Sequence, residues 1–207
     1  MKKRLLEMIL QDMKEVLNPD PRLEQYPTPA DIGADLLFRA YTYGDIGERT
    51  VCEPGCGKGM LALGAALLGA EKVWGFDTDR MAVDVANMNL DTLIDKEYEI
   101  EGEFFTEKLP GFDTDEHWDT IIMNPPFGAQ RPGADRPFLE FAVKHSDVVY
   151  SLHLAKTEKF VVKFLNELGM KAEILGRYIF PIKHMFDFHT KEEQEFEVAL
   201  IRGEKSG

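Results

Sequence analysis

Leu5, Leu6, Ile9, Leu10, Met13 and Leu17 recur at helical spacing, which predicts a first amphipathic helix running to about Val16. Asn18-Pro19-Asp20-Pro21 stops it. Thr28, Pro29 and Asp31 read as an N-cap, a proline at the first helical position and a first-turn acid. A second helix is therefore predicted from Pro29 to about Tyr43, ended by Gly44. The period then changes. Thr50 to Cys52 is a short apolar run followed at once by a glycine-rich turn, and Leu61 to Leu68 is small and apolar, as a buried helix requires. Strands are predicted over Lys72–Phe76, 97–104, Thr120–Met123 and Asp147–Leu152, and helices over Arg80–Met88, Pro137–His145 and Thr157–Leu168, the last closed by Gly169. Residues 171–181 and 195–202 read as two final strands with no room for a helix between them.

Strands alternating with helices imply a mostly parallel sheet covered on both faces. The last two strands, joined without a helix, form an antiparallel hairpin at one edge. The expectation is an α/β, Rossmann-like doubly wound fold with seven strands and N-terminal helices. It is a single domain over 1–207, in which 1–45 caps a core over 46–207. Ligands of such sheets bind outside the carboxyl ends of the strands.

Charge and composition narrow the class. The chain has 207 residues, 44% hydrophobic, and a net charge of −13, which excludes global disorder and a general affinity for nucleic acid. The charge is uneven: residues 91–119 hold eleven acids and two lysines, whereas 150–184 hold six bases and three acids. An acidic protein with one mildly basic face is compatible with RNA. No apolar run approaches the roughly 20 residues of a membrane span. The charged N-terminus has no cleavage signal, and Cys52 and Cys56 alone make neither a disulfide framework nor a metal site. No membrane association, no metal and a cytoplasmic setting are expected.

Three motifs sit at predicted strand ends. Glu53-Pro54-Gly55-Cys56-Gly57-Lys58-Gly59-Met60 follows the first strand. A dinucleotide fingerprint needs G-x-G-x-x-G, and position 60 is Met. Glu53 would repel a pyrophosphate but suits the cationic end of an amino acid. Asp77 closes Gly75-Phe76-Asp77 at the second strand, where an acid accepts from ribose hydroxyls; the plainer reading is that Asp77 or Asp79 caps the next helix. Glu103-Phe104 follows the third strand and could receive an exocyclic amine and a purine face. Adenosine with a cationic amino-acid end and no phosphate describes S-adenosylmethionine, which leaves S-adenosylhomocysteine as product.

Asn124-Pro125-Pro126-Phe127-Gly128 follows the fourth strand. Its prolines hold the backbone extended and remove two N–H donors. The Asn124 oxygen can then accept from an exocyclic amine, and Phe127 offers a face to a ring. A base must be single-stranded or flipped out to enter such a slot. Residues 129–136 form a Gly/Pro-containing loop beside the motif, either a lid or an ordinary connection.

With these motifs the sequence resembles the class I adenine-N6 methyltransferases of small-subunit ribosomal RNA, the group of methyltransferase-like protein five and its archaeal relatives. The resemblance runs over nearly the whole chain. It is carried by Leu23-Glu24-Gln25-Tyr26-Pro27-Thr28, the Gly55-Cys56-Gly57 loop, Gly75-Phe76-Asp77, Ile122 to Gly128, Val149-Tyr150-Ser151-Leu152-His153, Phe188-His189 and Glu197 to Arg202. It implies that Gln25 and Thr28 reach over the cofactor, and that Gly55, Gly57, Lys58, Met60, Asp77, Glu103, Phe104 and Asn124 complete its pocket. Glu53 and Glu103 stand where the family has Asp. The resemblance further implies a heterodimer with a small zinc-binding activator subunit paired through a sheet edge, the zinc belonging to that subunit. His153 and Lys156, after the fifth strand, either contact phosphate near the flipped base or serve the structure. Tyr26 and Phe186 either stack on substrate or pack. The expected function is methyl transfer to adenine N6 in ribosomal RNA. The rivals are protein glutamine-N5 methylation, guanine-N2 methylation and a non-catalytic RNA-binding scaffold.

Overall fold

A computed structural model describes residues 1–17, 26–128, 132–182 and 194–205. The described chain runs α1 Lys3–Gln11, α2 Ala30–Tyr43, β1 Thr50–Pro54, α3 Met60–Leu67, β2 Lys72–Asp77, α4 Arg80–Asp95, β3 Gly102–Thr106, β4 Trp118–Met123, α5 Arg136–His145, β5 Ser146–Leu154, α6 Glu158–Glu167, β6 Met170–Ile182 and β7 Gln194–Lys205. One 3-10 turn, Ala155–Thr157, joins β5 to α6. The strands form one sheet in the order β3-β2-β1-β4-β5-β7-β6. The first five are parallel, and β7 enters antiparallel between β5 and β6. This is the expected doubly wound sheet with its antiparallel hairpin at one edge.

Hydrophobic clusters cover the two faces of the sheet. One contains Leu6, Leu37, Met60, Leu63 and Leu90 from α1 to α4, and the other Trp118, Leu139, Phe141, Val161 and Leu165 from the α5/α6 side. Helix α3 is buried along nearly its whole length because α1 and α2 pack outside it, which accounts for its uniformly apolar composition. Asp45, just past α2, accepts from Tyr150 Oη at 2.6 Å and Arg202 Nε at 2.9 Å, tying that end of α2 to β5 and β7. No described helix is long and apolar enough to cross a membrane.

Several boundaries differ from expectation. Helix α1 stops at Gln11, with Met13 buried but no longer helical. Pro29, extended at φ −59° and ψ 142°, is itself the residue before α2, so Thr28 is not its cap. Helix α4 continues to Asp95. Strand β3 begins only at Gly102. Glu97 takes a left-handed φ of 65°, and the Tyr98 N–H returns to the Leu93 carbonyl. Residues 97–98 thus finish the end of α4, and the ladder to β2 starts several residues later.

Candidate functional site

The parallel strands end together, and a cavity of about 630 Å³ opens over the tips of β1, β2 and β4. Gly55, Gly57 and Gly59 all take left-handed φ values of 68°, 51° and 77°. The chain can thus double back directly after β1 and start α3 beside the cavity. A Cβ on Gly57 would meet nothing within 4 Å, leaving open space in front of the loop. The Gly57 N–H donates to Asp77 Oδ2 at 2.9 Å, and the Asp79 N–H donates to Asp77 Oδ1 at 2.9 Å. Asp79, not Asp77, caps α4, accepting from the Met81 N–H.

Glu53 is buried and accepts from the Ala62 N–H at 2.7 Å. Burial pushes its carboxyl up to about 8, against two backbone donors that favour the carboxylate. Burial also raises the Asp77 carboxyl. Two desolvated carboxyls facing one cavity suit a cationic and hydroxyl-bearing ligand and disfavour a phosphate. Lys58, which also lines the cavity, is taken up by Glu15 at 2.6 Å. Asn89 on α4 holds the segment carrying Glu15: its Oδ1 accepts from the Lys14 N–H at 2.8 Å, and its Nδ2 donates to the Lys14 and Lys58 carbonyls.

At the other end of the cavity, Asn124 Nδ2 donates to the Tyr26 carbonyl and to Thr28 Oγ1, each at 3.1 Å. A carbonyl can only accept, so these contacts fix which end of the amide is which. Its Oδ1 is left buried and, among the described residues, unpartnered. A buried acceptor without a donor is rare, costs about 1–3 kcal/mol and calls for an explanation. A ligand donor supplies one.

The cavity brings together Thr28, Glu53, Gly55, Gly57, Lys58, Met60, Asp77, Asn124 and Pro126. It does not bring in Glu103 or Phe104. Glu103 is exposed in the middle of β3, and the buried Phe104 ring fills the space over Gly59 and Gly75. The late start of β3 is the reason: its carboxyl end is Thr106, so Glu107 to Pro110 reach the cavity instead. Phe127 is not a lining residue either. It stacks on Tyr26 at 6.0 Å and meets Phe180 edge-on, and Tyr26 is the ring at the cavity. Pro125 is buried behind the motif. His153 is 2% exposed, with Nε2 2.5 Å from Ser151 Oγ and Nδ1 3.3 Å from Asp135 Oδ2, so it contacts no phosphate. Lys156 is exposed outside the cavity. Gln25, Phe186, Phe188, His189 and the first part of the 129–136 loop lie outside the described residues.

Glu15, Val16, Pro137 and Phe138, not among the residues the sequence points to, also line the cavity, together with Pro132 to Ala134 of the 129–136 loop. Only Phe138 carried a usable signal, an aromatic one turn inside a helix that faces the glycine loop; its Cε1 lies 3.1 Å from where a Gly55 Cβ would sit. No group of three potential metal ligands occurs among the described residues.

The residues fit S-adenosylmethionine: two carboxyls and an open glycine in a space of cofactor size, roughly 300–1,000 Å³. A family model described as ribosomal protein L11 methyltransferase (PrmA) matches residues 37–124. The chain is 33% identical to the zebrafish (Danio rerio) rRNA N(6)-adenosine-methyltransferase METTL5, covering 98% of each. It is 36% identical to an uncharacterized protein of Methanocaldococcus jannaschii, over 100% of this chain and 95% of the other. A crystal structure of a candidate RNA methyltransferase from Pyrococcus horikoshii superposes at a TM-score of 0.86 with 38% identity, covering 100% of this chain and 99% of that one.

Proposed function

We propose, because this chain belongs to the METTL5 family of rRNA N(6)-adenosine-methyltransferases, that it transfers a methyl group from S-adenosylmethionine to the exocyclic N6 of an adenosine in small-subunit ribosomal RNA. The observation that carries the reading is Asn124, whose amide nitrogen is held by Tyr26 and Thr28 while its oxygen stays buried and unpartnered. S-adenosylmethionine, when bound, supplies a methyl group on a sulfonium whose departure leaves a neutral thioether.

The protein's part is binding and positioning. Glu53 faces the cationic amino-acid end, with the Gly57 turn leaving room for it, and Asp77 accepts from ribose hydroxyls. An aromatic amine is a weak nucleophile because its lone pair is delocalised into the ring. Asn124 Oδ1 accepts a hydrogen bond from one N6–H, fixes the amine and favours the pyramidal nitrogen whose lone pair attacks the methyl carbon as its bond to sulfur breaks, the surplus N6 proton leaving to solvent. Pro125 and Pro126 keep competing N–H donors out of the site. The preformed oxygen acts through placement and electrostatics, with no reorganisation during the reaction. Tyr26, backed by Phe127, provides the ring face for a base that has left its stack.

Ribosomal RNA incubated with the protein and labelled S-adenosylmethionine, then digested to nucleosides, is expected to give N6-methyladenosine. N2-methylguanosine, or label in protein glutamine, would assign the same bracket to a rival substrate; no transfer to any rRNA would overturn the reading. The working protein is further proposed to be cytoplasmic and a heterodimer with a small zinc-binding activator paired at a sheet edge. A monodisperse, fully active monomer would contradict the heterodimer.

A further inference from the structure

We propose that Arg136, Lys156 and Lys159, arranged around Phe160, form the docking surface for the single-stranded RNA backbone next to the target base; this rests on the methyl-transfer reading above. The chain carries thirteen more acidic than basic charges, and several of its cations are taken up in ion pairs. Lys58 pairs with Glu15, Lys72 with Glu101, Lys144 with Asp113 and Arg202 with Asp45. Arg136, Lys156 and Lys159 form no ion pair among the described residues. The acids closest to them in sequence are already engaged. Asp135 lies 3.3 Å from His153 Nδ1, and Glu158 takes a two-pronged bond from Arg177 at 2.8 and 2.7 Å. Glu140, one turn along α5 from Arg136, makes no ion pair with it. Arg136, Lys156 and Lys159 are thus left without an ion pair among the described residues.

Its position follows from the chain path. Arg136 opens α5 between residues that line the cavity, Pro132 to Ala134 before it and Pro137 and Phe138 after it, yet it is itself exposed. Lys156 sits in the turn directly after β5, and the β4–β5 register sets Ser151 beside Met123, the residue before Asn124. Arg136 thus stands among cavity-lining residues, and Lys156 follows the strand paired with β4, which carries Asn124 at its end.

Phe160 explains the geometry. It is 44% exposed and stacks on Phe164 at 5.9 Å, and the Arg136 guanidinium lies 5.1 Å from its ring centroid. Stacking on an aromatic face holds the planar guanidinium in place while its N–H edge stays open to a phosphate. The two lysines add point charges beside it.

The test measures binding of single-stranded rRNA fragments to the full chain, as isolated with any accompanying subunit, across a salt series. Each backbone contact in a single strand contributes a slope of about 0.7 in log affinity against log salt. The triple variant Arg136→Gln, Lys156→Gln and Lys159→Gln is expected to weaken binding about 30-fold near physiological salt and to flatten the slope by about 2. Thermal stabilisation by S-adenosylmethionine should be unchanged, since these side chains lie outside the cavity. Lys163→Gln, whose side chain pairs with Glu167, should bind as wild type does. Unaltered affinity and slope in the triple variant, with wild-type transfer intact, would overturn the docking surface and leave the methyl-transfer reading standing. A wild-type chain that methylates nothing but loses RNA affinity in the triple variant would overturn that reading and keep the surface. Preference for an acidic polypeptide over RNA, or no RNA binding at all, would overturn the surface.

Discussion

The amide nitrogen of Asn124 donates to the Thr28 hydroxyl at 3.1 Å, joining the tip of β4 to the approach to α2, 96 residues away in sequence. Together with the Tyr26 carbonyl, Thr28 aims the other end of the amide, the unpartnered oxygen. Thr28→Val removes one of two acceptors, a loss of roughly 1 kcal/mol, and should lower kcat about five-fold. Asn124→Ala removes the bracket itself and should lower kcat by at least about 100-fold, the scale of losing one preorganised polar group. S-adenosylmethionine should still raise the melting temperature of both variants. Near-normal turnover of Asn124→Ala on rRNA would remove this residue from the chemistry.

His153, for which the sequence leaves a phosphate contact and a structural role open, holds Asp135, the residue before α5. Burial pushes the Asp135 carboxyl up, but the His153 bond and nearby Arg136 outweigh it and hold it below the ordinary range. His153 Nδ1 faces Asp135 and its Nε2 faces Ser151 Oγ. This fixes the returning end of the loop whose last residues, Pro132 to Ala134, line the cavity. Asp135→Ala should cost on the order of ten- to a hundred-fold in kcat/KM for RNA, as misplacement around a reacting centre does. Asp135→Asn keeps an acceptor for His153 and should recover most of the activity. A lower melting temperature in Asp135→Ala with unchanged kinetics would make the contact purely structural.

Much of this site was legible because its signals are local. Glycines at 55 and 57 announce a tight turn, Asp77 ends an apolar run, and two prolines after Met123 end another. Helix α2 stops at Gly44 as read, with φ 84°. Side chains defined by the third dimension were not legible. Glu103 and Phe104 were misplaced because a charged segment of α4's end imitates strand alternation, and only the pairing of Asp77 with Thr106 fixes where β3 ends. The two roles open to His153 could not be told apart from sequence because alternation along β5 fails when both faces are covered. Glu15 reaches the cavity through Asn89, a contact across 75 residues between Asn89 and Lys14 that no local pattern encodes.

Phe104 is a packing residue, and Gly75 shows it. A Cβ on Gly75 would lie 2.6 Å from both Phe104 Cδ1 and Cε1 and 2.9 Å from Cys56 Cβ. Gly75→Ala should destabilise by about 1–3 kcal/mol, the range for overpacking a filled core, read as a lower urea midpoint. Adding Phe104→Leu to that variant should raise the midpoint again, although Phe104→Leu alone lowers it. Strictly additive losses would mean that the two side chains do not compete for one space.

Glu53 gives the site a pH signature. Its carboxyl titrates near 4.5 in the unfolded chain and is pushed up to about 8 by burial in the fold. The folded state therefore favours the neutral form. The stability linked to this is fully present below about pH 4.5 and is lost as pH rises through about 8. Glu53→Gln cannot ionise. Its melting temperature should match wild type near pH 5, exceed it by a margin that grows towards pH 8, and then hold constant. Binding supplies a second reading. A cationic ligand end favours the carboxylate, so wild-type affinity for S-adenosylmethionine should strengthen between pH 6 and pH 8, while the Glu53→Gln variant binds weakly and without that slope. Parallel pH profiles for the two proteins in both measurements would show that Glu53 neither titrates in this range nor faces the charged end of the cofactor.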